Sequence, residues 1–325
     1  MRIALIAHGK LPIPPRAWGA VESTIWYRSA ELRRLGHTVD IYNTRDIGET
    51  IETLNRESYD FIHCHNELFT HDLQRGLKHP YALSCHSGSL ARLMRAWWPT
   101  RHRSFRESLR APANLLLSED YRELYLRNGY RGFLGVVRNM VECDAFRFLP
   151  RGNGKAICVG RIIPRKRQAT VAKTTRGQVQ IDFVGPWRLK DEPKFAENET
   201  AKYLGEWEKS VLHDRLTEYS CMVLLSETEA AARVVLEALA AGLSVVISDR
   251  CTANLTAEEF ITVLPLAEKR PEVINAAIKS AIERNDSLRE KIRAYARERF
   301  DYSVAVPEYL RVVRECQDFF ASRRQ

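Results

Sequence analysis

The sequence holds no apolar run of the ~18–20 residues that a helical membrane span needs. Its N-terminus, MRIALIAHGK, has no cleavage-site pattern after the short apolar run, so it reads as a first β-strand and not as a signal peptide. The seven cysteines (64, 85, 143, 158, 221, 251 and 316) form no CxxC pair and are odd in number, which fits reduced thiols in a cytosolic protein. There is no GxGxxG, no Walker A loop, no GxSxG elbow and no solenoid repeat. There is also no DxD pair, so nothing obvious would hold a catalytic divalent ion on a diphosphate.

What is present is ordinary in proportion. Hydrophobic residues make up 45% and charged residues 28%, which excludes a disordered chain, a collagen and a coiled coil. A length of 325 residues is a prior for two domains. The 50 basic and 41 acidic residues leave a net charge of +9, which favours nucleic acid, anionic lipid or a phosphorylated substrate, or is simply a basic solvated surface. No zinc finger, RNP pattern or helix-turn-helix supports nucleic acid.

Strand-like and helical segments alternate. RIALIA (2–7), TVDIY (38–42), YDFIH (59–63), PYALS (80–84) and NLLLS (114–118) are strand candidates, with a helix over 22–35 closed by Gly36. A second series follows: KAICVG (155–160), VQIDFVG (179–185), CMVLLS (221–226), a helix over 231–241, and SVVIS (244–248). FRFLPRGNG (146–154) has the composition of a linker, and 186–202 reads as a polar surface loop. The fold class expected is α/β: two Rossmann-like doubly wound domains facing each other across a cleft. Residues 1–148 form the first, 149–302 the second, and 303–325 a C-terminal helix that can pack back on the first. Ligands of such sheets bind at the carboxyl ends of the strands.

Three loops there carry chemistry. In SETEAAARVVLEALAAGL (226–243), Glu229 precedes a helix expected to open at Ala231, and Glu237 lies in its second turn. The amides of Ala231, Ala232, Arg233 and Val234 would make a helix N-terminus suited to an anion. The same pattern also fits a salt-bridged pair on an ordinary crossover. GRIIPRKRQ (160–168) places Arg161 and Lys166 after a strand, where a guanidinium and an ammonium could neutralise a diphosphate; a solvated basic loop would look the same. In PIPPRAWGAVE (12–22), Gly19 could let the backbone approach a phosphate. His63, His65, His71 and His86 lie at or near strand ends. The HxH pair has no further ligand at metal-site spacing, so His86 is read as a hydrogen-bonding group.

With these residues in view, the chain resembles the glycosyltransferase family 4 enzymes, which have the two-domain GT-B fold. PPRAWGAVES, ELRRLGHTVDIY, YDFIHCHN, LSCHSG, VVRNMVECDAF, GRIIPRK and ETEAAARVVLE match the family's elements in its order, over nearly the whole length. The resemblance implies a retaining, metal-independent transfer from a UDP- or GDP-linked sugar to a glycan or lipid-linked glycan of lipopolysaccharide, capsule or exopolysaccharide type. It implies that Glu229 holds the donor sugar, Glu237 the ribose, Arg161 and Lys166 the leaving diphosphate, that Gly19 lines the phosphate pocket, and that His86 contacts the sugar. It implies no cofactor. The chain departs from the family at Ala230–Ala232, at Ala20, at Met140 and at Ser244.

Residues 89–110 hold six arginines against one glutamate, with Trp97 and Trp98, and could equally dock on anionic lipid or form an acceptor-side loop or helix with partly buried tryptophans. The expected location is the cytoplasm, with the inner face of the membrane in reach. Trp187 and Trp207 could flank a base or lie in the core. A sugar-nucleotide epimerase of the same fold and a non-catalytic glycan-binding relative are the alternative functions.

Overall fold

The computed structural model describes residues 1–15, 19–86 and 102–323. The chain divides into two compact units, one of Met1–Met140 with Tyr302–Gln325 and one of Val141–Asp301.

The first unit is built on a six-stranded parallel sheet of β1 (Arg2–Ala7), β2 (Thr38–Asn43), β3 (Phe61–Cys64), β4 (Ala82–Leu83), β5 (Ala113–Leu116) and β6 (Phe133–Val136), in the order β2-β1-β3-β4-β5-β6. Parallel strands are covered on both faces, so their sequences run apolar without alternation. RIALIA is such a strand, with five consecutive buried residues. One face packs on the helix Ala20–Arg34 through Ile25 and Leu32, and on the C-terminal helix Tyr302–Ser322 through Val306, Tyr309 and Val313. That helix runs so close to β6 that a Cβ at Gly135 would stand 2.4 Å from Val312 Cγ1.

The second unit repeats the plan with β7 (Ala156–Val159), β8 (Ile181–Val184), β9 (Ala201–Tyr203), β10 (Cys221–Leu224), β11 (Ser244–Ser248) and β12 (Ile261–Leu264), ordered β12-β11-β10-β7-β8-β9. Its longest helix, Pro271–Phe300, opens on proline, which suits a first turn that needs no N–H donor. Arg289 from this helix is fully buried and donates to the carbonyls of Leu149, Thr217, Tyr219 and Ala241.

In each sheet the order of connection reverses once, between β1 and β3 in the first unit and between β7 and β10 in the second. A doubly wound sheet opens a crevice at the carboxyl ends of its strands at such a point.

The structure corrects the expected linker. Residues 146–154 lie inside the second unit, because Phe146 is buried in its core, Leu149 accepts from Arg289, and the Gly152 amide donates to Asp286 at 2.9 Å. The chain passes between units at 140/141 and 301/302 instead, where Val141 and Asp301 form a β-bridge. The segment 186–202 is also more than a surface loop. Phe195 is buried against Phe183 and Trp187, and the segment ends in β9. Trp187 and Trp207 both pack on the core of this unit.

Candidate functional site

In the second unit, two loops meet at the reversal between β7 and β10. The loop after β7 turns at Gly160, with φ +134°, and Pro164–Lys166 forms a single 3-10 turn. Gln168 braces it, donating to the Arg161 carbonyl at 2.9 Å. The loop after β10 is tied across to it, since the Glu227 amide donates to the Arg165 carbonyl at 2.8 Å and Arg165 donates to the Thr228 carbonyl.

These ties bring Glu229 to the cations. Its Oε1 accepts from Ser226 Oγ at 2.9 Å and from Arg165 Nη1 at 3.2 Å, and lies 3.8 Å from Lys166 Nζ. Lys166 reaches it by lying over Gly160, where a Cβ would meet Nζ at 2.5 Å. Arg161 is exposed and forms no ion pair with a described residue. Arg165 and Lys166 thus attend one carboxylate, with Arg161 exposed in the same loop, and the excess positive charge suits an anion. Arg165 was not singled out in the sequence. It lay in the basic run PRKR, where composition does not say which side chain turns inward.

Glu237 forms a separate cluster. It is buried, and its Oε1 accepts from Lys209 Nζ at 2.9 Å and Arg233 Nε at 3.2 Å. Burial alone would push this carboxyl up, but Lys209 and Arg233 outweigh burial and hold it at about 2. Lys209, 28 positions away, carried no sequence signal. The helix expected from Ala231 begins at Arg233. Ala232 precedes it with ψ 93°, outside helical backbone, so Ala231 and Ala232 belong to the turn and Arg233 and Val234 open the helix.

In the first unit, Gly19 precedes the helix Ala20–Arg34 with φ +131°, and a Cβ there would stand 2.6 Å from Glu22 Oε2. Buried Glu22 lies 3.3 Å from His8 Nε2, in the loop after β1. Across the reversal, His63 and His65 are buried at the end of β3 with ring centroids 4.0 Å apart, and His65 Nδ1 lies 2.9 Å from His86 Nε2. Burial, with the positive charge of Arg28 and His8, lowers His86 to about 3. Among the described residues no group of three or more His, Cys, Asp or Glu side chains is placed to hold a metal ion.

Most of the basic segment 89–110 lies outside the described residues, apart from 102–110. No helix among the described residues is long and apolar enough to cross a membrane.

Residues 145–299 match the family model of the glycosyl transferases group 1. No curated protein matches the sequence. Sucrose-phosphate synthase from Thermosynechococcus elongatus shares 16% identity over 99% of both chains, with a TM-score of 0.77. Anabaena HepE, solved in complex with UDP and glucose, shares 15% identity over 97% of this chain and 100% of its own, with a TM-score of 0.74. The lipopolysaccharide outer core galactosyltransferase WaaB shares 13% over 97% and 99%, with a TM-score of 0.67. At these identities the structures establish the fold, and the family model establishes the enzyme class of the second unit. The chain has the GT-B fold, its residues 145–299 match the group 1 glycosyltransferase model, and it is a glycosyltransferase.

Proposed function

We propose that this glycosyltransferase is a retaining, metal-independent enzyme that moves a sugar from a nucleoside diphosphate sugar to a glycan or lipid-linked acceptor. The observation that carries the reading is the meeting of Lys166 and Arg165 with Glu229 at the β7/β10 reversal, inside the matched domain. Lys166 and Arg161 receive the diphosphate, and Arg165 adds to their charge while holding Glu229. Glu229 accepts hydrogen bonds from the donor sugar and Glu237 from the ribose, with Ala231, Ala232, Arg233 and Val234 beside the phosphates. Gly19 lines the phosphate pocket and His86 contacts the sugar.

The bond between the anomeric carbon and the diphosphate oxygen breaks, and the acceptor oxygen bonds to the same face of that carbon. The acceptor's proton passes to the leaving phosphate. Negative charge grows on the diphosphate in the transition state, and preorganised cations there are worth several kcal/mol. They take the part a divalent ion plays elsewhere, so turnover persists in EDTA. The UDP complexes of HepE favour a UDP-linked donor, and the likeness to WaaB favours a lipopolysaccharide-type acceptor. The basic segment 89–110 would then hold the enzyme on the inner membrane face, and liposome binding unchanged by loss of its arginines overturns that placement.

A thermal-shift screen of UDP, GDP, ADP and their sugars identifies the donor. Donor turnover is then measured for Lys166→Ala and Glu229→Ala. A drop of at least a hundredfold in each is expected, and wild-type turnover in both overturns the reading.

A further inference from the structure

The three histidines of the first unit form a chain of hydrogen bonds whose direction is set at its far end. Ser84 Oγ donates to the Leu115 carbonyl at 2.8 Å, so it accepts from His63 Nε2 at 2.9 Å. A neutral His63 protonated at Nε2 has a bare Nδ1, which accepts the Tyr309 hydroxyl at 3.2 Å. The His63 ring stacks on Tyr309 and lies beside His65, which fixes the plane of the latter.

His65 Nε2 is buried without a hydrogen-bond partner. A buried N–H with no acceptor is the rarer kind of orphan, so the His65 proton sits on Nδ1. From there it donates to His86 Nε2 at 2.9 Å. A neutral His86 that accepts at Nε2 carries its own proton on Nδ1. That nitrogen has no hydrogen-bond partner among the described residues, and the residue is not fully buried.

We propose that His65 is a positioning residue that fixes His86 as a neutral Nδ1–H donor, so that this ring offers a ligand oxygen a hydrogen bond and does not act as a general base. The groups facing the stack support the neutral form. Arg28 is buried with its guanidinium 4.5 Å above the Tyr309 ring, His8 approaches from the loop after β1, and Glu22 faces His8. Burial and the charge of Arg28 lower His63 and His65 as well. The ligand oxygen belongs to a sugar hydroxyl or a phosphate. That identity rests on the function proposed above, whereas the proton assignment does not.

Two experiments test it. Two-bond proton–nitrogen spectra of the full chain with labelled histidine are recorded from pH 4 to 8, with His86 assigned by His86→Gln. The expected pattern is a neutral Nδ1–H ring throughout, and an Nε2–H ring or titration near pH 6.5 overturns the proposal. Next, kcat and KM for the donor are compared in His65→Leu and His65→Asn. Asn Nδ2 can stand in for His Nδ1 as donor, and Leu cannot. One hydrogen bond is worth about tenfold, so His65→Leu loses about tenfold in kcat at unchanged KM and His65→Asn recovers it. Equal losses in both, or none in either, overturn the positioning role. A wild-type enzyme with no transferase turnover would refute the proposed function and leave the spectra to decide the histidine assignment.

Discussion

The ammonium of Lys166 lies over Gly160, 2.5 Å from where a Cβ at residue 160 would stand. The glycine also has φ +134°, a backbone state that L side chains avoid. Gly160→Ala therefore strains the turn by about 1–3 kcal/mol and displaces the ammonium. UDP affinity, measured by calorimetry, is expected to fall at least tenfold. Unchanged affinity would mean that Lys166 does not serve the diphosphate from this position.

Glu237 tests the buried ion-pair cluster. Its carboxyl is held at about 2 in the folded chain, below its unfolded value. The stabilisation is therefore full above about pH 4.5 and is lost as pH falls toward 2. Glu237→Gln leaves Lys209 and Arg233 without their shared anion and costs about 3 kcal/mol at pH 7. Urea unfolding at several pH values should show that difference shrinking below pH 4.5. A constant difference would refute the assignment.

Arg289 satisfies four carbonyl oxygens from three separate segments of the second unit. Arg289→Met removes those donors together and is expected to destabilise by about 4 kcal/mol. Arg289→Lys recovers only part, because one ammonium cannot span the fork of a guanidinium. Equilibrium unfolding of both variants checks this.

Gly135 and Val312 form the tight contact between β6 and the C-terminal helix. Gly135→Ala is expected to cost about 2 kcal/mol by overpacking. Val312→Ala alone also destabilises, but in the double variant it makes room for the new methyl. The two changes then cost less together than their sum, which thermal unfolding of the four-member cycle measures.

Much of the fold was legible because parallel strands covered on both faces leave continuous apolar runs. RIALIA and SVVIS coincide with β1 and β11. FLGV and AKY hid β6 and β9, the first carrying a glycine demanded by a helix far along the chain, the second only three residues long. The helix Pro271–Phe300 escaped notice because its buried positions are scattered among charged ones. At the site, Lys166 and Glu229 were readable because each follows a strand at the reversal point. Lys209 and Tyr309 were not, since Tyr309 meets His63 across 246 positions and nothing local records that meeting.

The division of the chain into units has a consequence for synthesis. The first unit draws on both ends of the sequence, and its core includes Val306, Tyr309, Val313 and Cys316. A ribosome delivers these residues only after the whole of Val141–Asp301 has been made. The second unit can thus mature on the nascent chain while the earlier-made segment waits unfinished, reversing the usual order in which domains fold as they emerge. Protease treatment of stalled nascent chains would show the early segment cleaved until that last helix has emerged.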